Sequence, residues 1–392
     1  MTKIATPVNA YKFSELTAAQ IENVRTYFGF GNLVGYFSTI KTGTVHAINA
    51  YKLKAGKANL FSNDAIIESG DTVVDIDANS YAIALKGCNY IPPGWICSLI
   101  IEGTTAIVSR HATLTDLNGD FILKFGTVGS ANGQFNLPRG IAINSSNIFV
   151  ADTVNNRVQI FDLNSGFISA FGSIGSGDGQ FSGVCGIAVN ESNIFTVETS
   201  NNRVQIFDLA GTFVSKFGSA GSGDSQFNLP QGIAINSSRI FVTDYNNNRV
   251  QLFQIDGTFI LAFGSEGNLD GQFNLPRGIA VKGSNIFVAD SGNNRVQVFD
   301  LDGNYITKFG TTGSESGQFS GLYGIAINDS NIFVADSGNN RVQIFDFDYN
   351  FIAKFGFTGS GNGLFSNPFG IAVNDFNIFV VEYGNNRVQK FI

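Results

Sequence analysis

Asn155-Asn156-Arg157-Val158-Gln159 returns unchanged at Asn201, Asn247, Asn293, Asn339 and Asn385, at a spacing of 46 residues without one insertion or deletion. A fixed period of that length marks supersecondary units that bury their apolar faces only against neighbouring copies. The architecture of residues 113–392 follows from it. Residues repeated in every copy are structural first, so functional chemistry is to be sought where the copies differ.

Working outward from the pentapeptide, one copy reads as four short strands. Gly186-Ile187-Ala188-Val189 is brief and apolar, as an inner strand covered on both faces should be. Ile194-Phe195-Thr196-Val197 reads as the second strand, and Arg203-Val204-Gln205-Ile206-Phe207 as the third, alternating in period two. Thr212 to Phe217 reads as the outermost. Four short strands in a repeat of this length make a propeller blade. Asp120 to Gly126 looks like an outermost strand with no blade before it, and Arg387 to Ile392 like a third strand with no fourth after it. Pairing the two ends removes both exposed edges. The sequence therefore predicts an all-β, closed six-bladed propeller over 111–392, sealed by the 120–126 strand.

The copies resemble NHL repeats in the succession Pro-x-Gly-Ile-Ala-Val, Val-Ala-Asp and Asn-x-Arg-Val-Gln-x-Phe. The resemblance covers about 280 residues and recurs six times. One departure is consistent. The residue after the first Asn is often His in the family, and here it is always Asn: Asn156, Asn202, Asn248, Asn294, Asn340 and Asn386. The family is similar in fold rather than in task. Its members include RNA binders, extracellular sensor domains, a metal-dependent lyase and scaffolds, so function must be argued from sites.

Bulk properties narrow the classes. Charged residues are 14% of the chain, against roughly 25% in an average protein, and 38 Phe with 46 Gly suit aromatic cores joined by turns. A net charge of −7 argues against nucleic acid, which needs Lys and Arg in excess to neutralise phosphate. No apolar stretch approaches the ~18 residues of a membrane span. Met1 to Phe13 lacks the apolar core of a signal peptide, which leaves open another export route, a missing leader or residence inside the cell. Cys88 and Cys97 either close a small loop or stay reduced.

Each copy pairs an acid with an arginine five residues on: Asp152 with Arg157, Glu198 with Arg203, Asp244 with Arg249, Asp290 with Arg295, Asp336 with Arg341, and Glu382 with Arg387. Sixfold repetition favours a structural salt bridge over a ring of cation ligands. Gly-rich turns such as Gly175 to Gly179 neither follow a parallel strand nor open a helix, so the phosphate-cradling motifs do not apply. The lyase branch of the family implies propeller histidines, whereas this chain holds only His46 and His111. No Ser-His-Asp or Cys-His set is visible. No catalytic residue, metal ligand or cofactor is expected.

The copies differ most ahead of the inner-strand glycine, where Arg139, Cys185, Gln231, Arg277, Tyr323 and Phe369 stand. They differ also just after the acid, at Thr153, Thr199, Tyr245, Ser291, Ser337 and Tyr383. In a propeller both loops face the mouth of the central channel. Arg139, Gln231, Tyr245, Arg277, Tyr323, Phe369 and Tyr383 form the candidate ligand patch there, set against neutral drift on an exposed loop. Four Asn-x-Ser sequons, at Asn144, Asn190, Asn236 and Asn328, fall in one repeat turn on the opposite face. They read as turn residues copied with the repeat rather than as glycosylation sites.

Residues 1–110 have no echo of the repeat. Ser14 to Phe28 reads as a helix opened by a capping box and ended at Gly29. Strands are expected at 33–40, 44–54, 65–68, 72–76, 81–86, 95–101 and 105–109, giving a small sandwich or barrel. Lys3 to Phe13 alternates, with Ile4, Thr6, Val8 and Ala10 on one side. It reads as a strand of its own domain, a tail, or a strand donated to the next molecule. The leading expectation is a non-enzymatic structural protein, extracellular or on the cell surface, that polymerises head to tail into a filament through that segment. The alternative is a binding module that takes a glycan or protein at the aromatic and arginine mouth. A calcium-dependent lyase or hydrolase ranks third, and RNA binding last.

Overall fold

The computed structural model describes residues 119–374 and 377–392, preceded by five strands known by their backbone alone. The chain divides into two compact units, 1–116 and 117–392. In the first, Ala82–Ile83 lies between Leu60–Phe61 and Val74–Asp75 in a small sheet. Trp95–Glu102 and Thr105–Ala112 pair antiparallel, Trp95 opposite Ala112 and Glu102 opposite Thr105. Of the expected strands, 72–76 and 81–86 each contain one of the two-residue strands, 95–101 and 105–109 match the paired strands, and the last runs three residues longer. The helix 14–28, the strands 33–40, 44–54 and 65–68, the segment bearing Ile4, Thr6, Val8 and Ala10, and His46 and Cys88 lie outside the described residues. Among the described residues, no helix is long and apolar enough to cross a membrane.

The second unit is a six-bladed propeller. Blade 2 shows the pattern: Val184–Val189 innermost, then Asn193–Glu198, Arg203–Asp208 and Phe213–Phe217, antiparallel in that order. The inner strands of the other blades begin at Ile141, Ile233, Pro276, Ile325 and Pro368. Blade 6 is completed by Phe121–Phe125, which pairs with Arg387–Phe391 in the register Val388 to Phe125 and Phe391 to Phe121. The expected seal therefore forms, and the inner strand of the sixth blade touches that of the first.

Period-two alternation appears only in the outermost strands, whose odd positions turn inward and whose even positions face solvent. The third strands do not alternate: from Arg203 to Phe207 every residue is buried, including Gln205. The reason is that a third strand lies between two blades, so both its faces are interior. The interior itself is aromatic. Phe217, at the end of one blade's outermost strand, packs on Phe253 of the next blade's third strand with ring centroids 4.5 Å apart, and Phe227 joins at 5.8 Å. The same trio recurs at every junction, as with Phe263, Phe273 and Phe299. Each such ring pair contributes about 0.5–1.5 kcal/mol beyond area burial.

Three repeated devices fix the ring. The first is the inner-strand glycine: a Cβ on Gly278 would meet the Tyr323 carbonyl oxygen at 2.0 Å, and one on Gly370 the Arg139 oxygen at 2.4 Å. Only glycine allows adjacent inner strands this close approach. The second is the asparagine at the position where the family often has His. Asn294 sits in the left-handed region, φ 52°, and its Oδ1 accepts the Gly321 N–H of the next blade at 2.7 Å. Asn386 does the same for Leu137 across the seam, at 2.7 Å. Asparagine supplies both the tolerated backbone and the acceptor.

The third device is the acid–arginine pair. Asp290 takes Arg295 Nε at 2.7 Å, Asn293 at 2.9 Å, Gln297 at 3.1 Å and the Asn274 N–H at 2.7 Å. Arg295 in turn donates to the carbonyls of Leu269 and Gln272 in the Gly-rich turn. The carboxylate is fully buried and joins two strands to that turn. The other five pairs adopt the same geometry, with Nε–oxygen separations of 2.5–2.8 Å in Arg157–Asp152, Arg203–Glu198, Arg249–Asp244 and Arg341–Asp336; Arg387–Glu382 completes the set. Burial pushes the Asp290 carboxyl up, against the lowering pull of Asn274, Asn293 and Arg295. The sequon asparagines cap turns, as Asn144 Oδ1 does by accepting the N–H groups of Ser146 and Asn147.

Candidate functional site: the channel mouth

The six glycines and the isoleucines that follow them line a cavity on the propeller axis, with about 540 Å³ of empty space counting what opens to solvent. Arg139, Cys185, Gln231, Arg277, Tyr323 and Phe369, one from each blade, rim it. These are the residues just ahead of the inner-strand glycines, where the copies diverge most.

Their side chains form an arc. Tyr323 and Phe369 stack face to face, with centroids 3.6 Å apart and planes 9° apart. Tyr383 stacks on the far side of Phe369 at 4.6 Å. The Arg277 guanidinium covers Tyr323 at 3.9 Å and lies 5.3 Å from Tyr245, whose hydroxyl accepts from its Nη2 at 3.2 Å. Arg139 closes the other end, 5.9 Å from Phe369 and 5.4 Å from Tyr383. Six of the seven candidate residues thus form one stacked series, Tyr245–Arg277–Tyr323–Phe369 with Tyr383 and Arg139. Gln231 stands apart on the rim, next to Cys185.

The residues after the acid divide into two groups. In blades 2, 4 and 5 they are small and pin blades together rather than face a ligand, whereas the buried Thr153 hydroxyl of blade 1 makes no such bond. Thr199 Oγ1 donates to the Pro230 carbonyl at 3.1 Å, Ser291 Oγ to that of Leu322 at 2.5 Å, and Ser337 Oγ to that of Pro368. Thr153, Ser291 and Ser337 are buried, so this stretch is no freely drifting surface loop. Tyr245 and Tyr383 occupy the same position in blades 3 and 6 and reach the mouth instead. In blade 3 the pin moves two residues back, where Thr243 Oγ1 donates to the Arg277 carbonyl at 2.6 Å. Sequence reasoning missed the pins. The small hydroxyl residues alternating with tyrosine were their only signal.

Burial pushes the Cys185 thiol up; contact with Thr199 and the field of Arg139 oppose this. A thiol held in that state is a hydrogen-bonding rim residue, not a nucleophile. Burial likewise raises Tyr323, while Arg277 and Arg139 both pull it down. The two guanidiniums therefore act on one point at the rim.

Independent comparisons agree with this architecture. A model of the NHL repeat matches residues 227–253, 273–299 and 319–345, and one described as a 6-bladed beta-propeller matches 135–216. The propeller is built of NHL repeats. No curated protein matches the chain. Among solved structures, a protein of unknown function from Bacteroides thetaiotaomicron VPI-5482 is 14% identical at a TM-score of 0.57, over 86% of this chain and 91% of that one. A virginiamycin B lyase from Staphylococcus aureus, crystallised with quinupristin, is 12% identical at 0.47, over 86% of this chain and 100% of that one. A chain of a nidogen/laminin complex is 17% identical at 0.48, over 71% and 94%. At 14% identity, the likeness of the Bacteroides thetaiotaomicron protein to this chain is one of fold.

Proposed function

We propose that the NHL propeller is a non-catalytic binding module that holds a protein partner at its channel mouth. The observation that carries this reading is the stacked series from Tyr245 to Arg139. Tyrosine and arginine are the residues over-represented where interfaces concentrate their energy. Here they sit on a rigid ring, so little side-chain freedom remains to be lost on binding. The mouth also lacks sixfold regularity. Structural devices repeat in all six blades, whereas the aromatic and cationic groups are gathered on blades 3 to 6 and 1, as a site for one partner requires. The charged side chains there are guanidiniums, which hold their proton and recognise rather than transfer it, and this supports binding over the lyase reading.

The test is capture of partners from the protein's own source material by the full chain and by its Tyr323→Ala/Phe369→Ala/Tyr383→Ala variant, with a glycan array run in parallel. The triple variant is expected to lose the captured protein while its melting temperature stays within a few degrees. Retained capture, or array binding that depends on these three residues, removes the protein-binding reading. Filament formation through Ile4, Thr6, Val8 and Ala10 depends on a segment outside the described residues, and the mouth gives it no support.

A further inference from the structure

Nine arginines lie in the described propeller, and seven have a carboxylate or carbonyl acceptor. Arg157, Arg203, Arg249, Arg295, Arg341 and Arg387 pair with buried acids. Arg239 donates to the Leu301 carbonyl at 2.8 Å. Arg139 and Arg277 have neither a carboxylate nor a carbonyl partner among the described residues. Their Nε atoms are buried without any partner, and a single 3.2 Å contact, from Arg277 to the Tyr245 hydroxyl, uses one of their donors. Ring faces accept a guanidinium's positive charge but not its in-plane N–H groups. Leaving such donors unmet is costly. Both residues flank the same stacked pair, and the field of both reaches Tyr323. The patch is cationic on a chain of net charge −7.

We propose that the mouth is a carboxylate receptor. An Asp or Glu side chain of the protein partner enters it, is held by Arg139 and Arg277, and its neighbouring apolar or aromatic residue packs against the ring edges of Tyr323 and Phe369, whose faces are taken by Arg277, Tyr383 and each other. This rests on the binding-module reading and names the group that module recognises. Planar carboxylate is the natural complement of a guanidinium's donor fork. Nucleic acid is the weaker occupant, because two cations neutralise too little phosphate.

The experiment is calorimetric titration of the full chain with four probes: the peptide Gly-Phe-Glu-Gly with blocked ends, its Glu→Gln counterpart, phenylacetate, and an oligouridylate. The Glu peptide is expected to bind at least tenfold more tightly than the Gln peptide, and more weakly as salt rises. Arg139→Gln combined with Arg277→Gln should abolish that preference with the melting temperature held. Phenylacetate equal to the Glu peptide overturns a protein source and assigns the site to a small free acid. Equal binding of both peptides, an unaffected double variant, no peptide binding, or preference for oligouridylate overturns the carboxylate receptor. If the aromatic triple variant still loses its captured partner in those cases, the module stands and only its ligand chemistry is wrong.

Discussion

At the residue scale, the repeated acid and arginine are a hub, and the hub has a predictable pH signature. Asp290 is completely buried and Arg295 nearly so. Removing the arginine as Arg295→Met leaves the carboxylate, Asn293, Gln297 and the turn carbonyls in place without their cation. Breaking a buried pair in this way costs about 3–5 kcal/mol. Burial already raises the Asp290 carboxyl with Arg295 present, and Arg295 is among the groups that lower it. Its loss raises the carboxyl further. An acid whose folded value exceeds its unfolded value of about 3.9 holds extra protons in the native state between those two values. Stability therefore falls as pH rises through that interval. Denaturant melts should show the variant's deficit against wild type to be smaller at pH 5 than at pH 8. A deficit independent of pH would mean that the carboxylate is not what the arginine serves.

At the element scale, the strands of a blade carry unequal loads. Phe391 in the third strand of blade 6 is fully buried and meets Phe355 at 4.9 Å, Phe365 at 5.5 Å and Phe121 at 6.1 Å. Phe391→Ala should lose about 3–5 kcal/mol. Ile122, on the sealing strand that pairs with it, is 43% exposed, and Ile122→Ser should stay within about 0.5 kcal/mol. Chemical denaturation of both variants checks the contrast, and a large loss from Ile122→Ser would mean that the outer strand edge is covered. This difference between strands was only half legible in the sequence. The inner strand's apolar run and the outer strand's alternation could be read directly. Arg203 to Phe207 shows the same apolar–polar lettering as a half-exposed strand, and Gln205 is buried because the Gly-rich turn folds over it, the Gly179 N–H donating to its Oε1 and its Nε2 donating to the Gln180 carbonyl. Coverage of that kind is a tertiary fact that no local pattern contains.

At the scale of the whole molecule, the unbroken spacing of 46 residues made the blade count and the sealing strand legible, and divergence between copies located the rim. The stacking of Tyr323 on Phe369 was not legible, since these residues stand 46 positions apart and meet only because consecutive blades pack side by side. Nor was the role of Asn386, which reads as one more copied turn residue until its acceptor reaches Leu137, 249 positions away. Closure has a thermodynamic consequence. In an open array, an end repeat has one neighbour and frays independently. Here the seam carries the same asparagine bond, glycine approach and phenylalanine trio as any interior junction. Asn386→Ala at the seam and Asn202→Ala between blades 2 and 3 each lose one inter-blade acceptor and place alanine at a left-handed φ of 52°. Each should cost about 1–3 kcal/mol. Calorimetry should show one propeller transition, lowered by about the same amount in both. Hydrogen exchange should show no selective opening of 121–125 in the seam variant. If that strand exchanges early in Asn386→Ala and remains protected in Asn202→Ala, the seam is the weakest joint and the propeller behaves as an open array clasped at its ends.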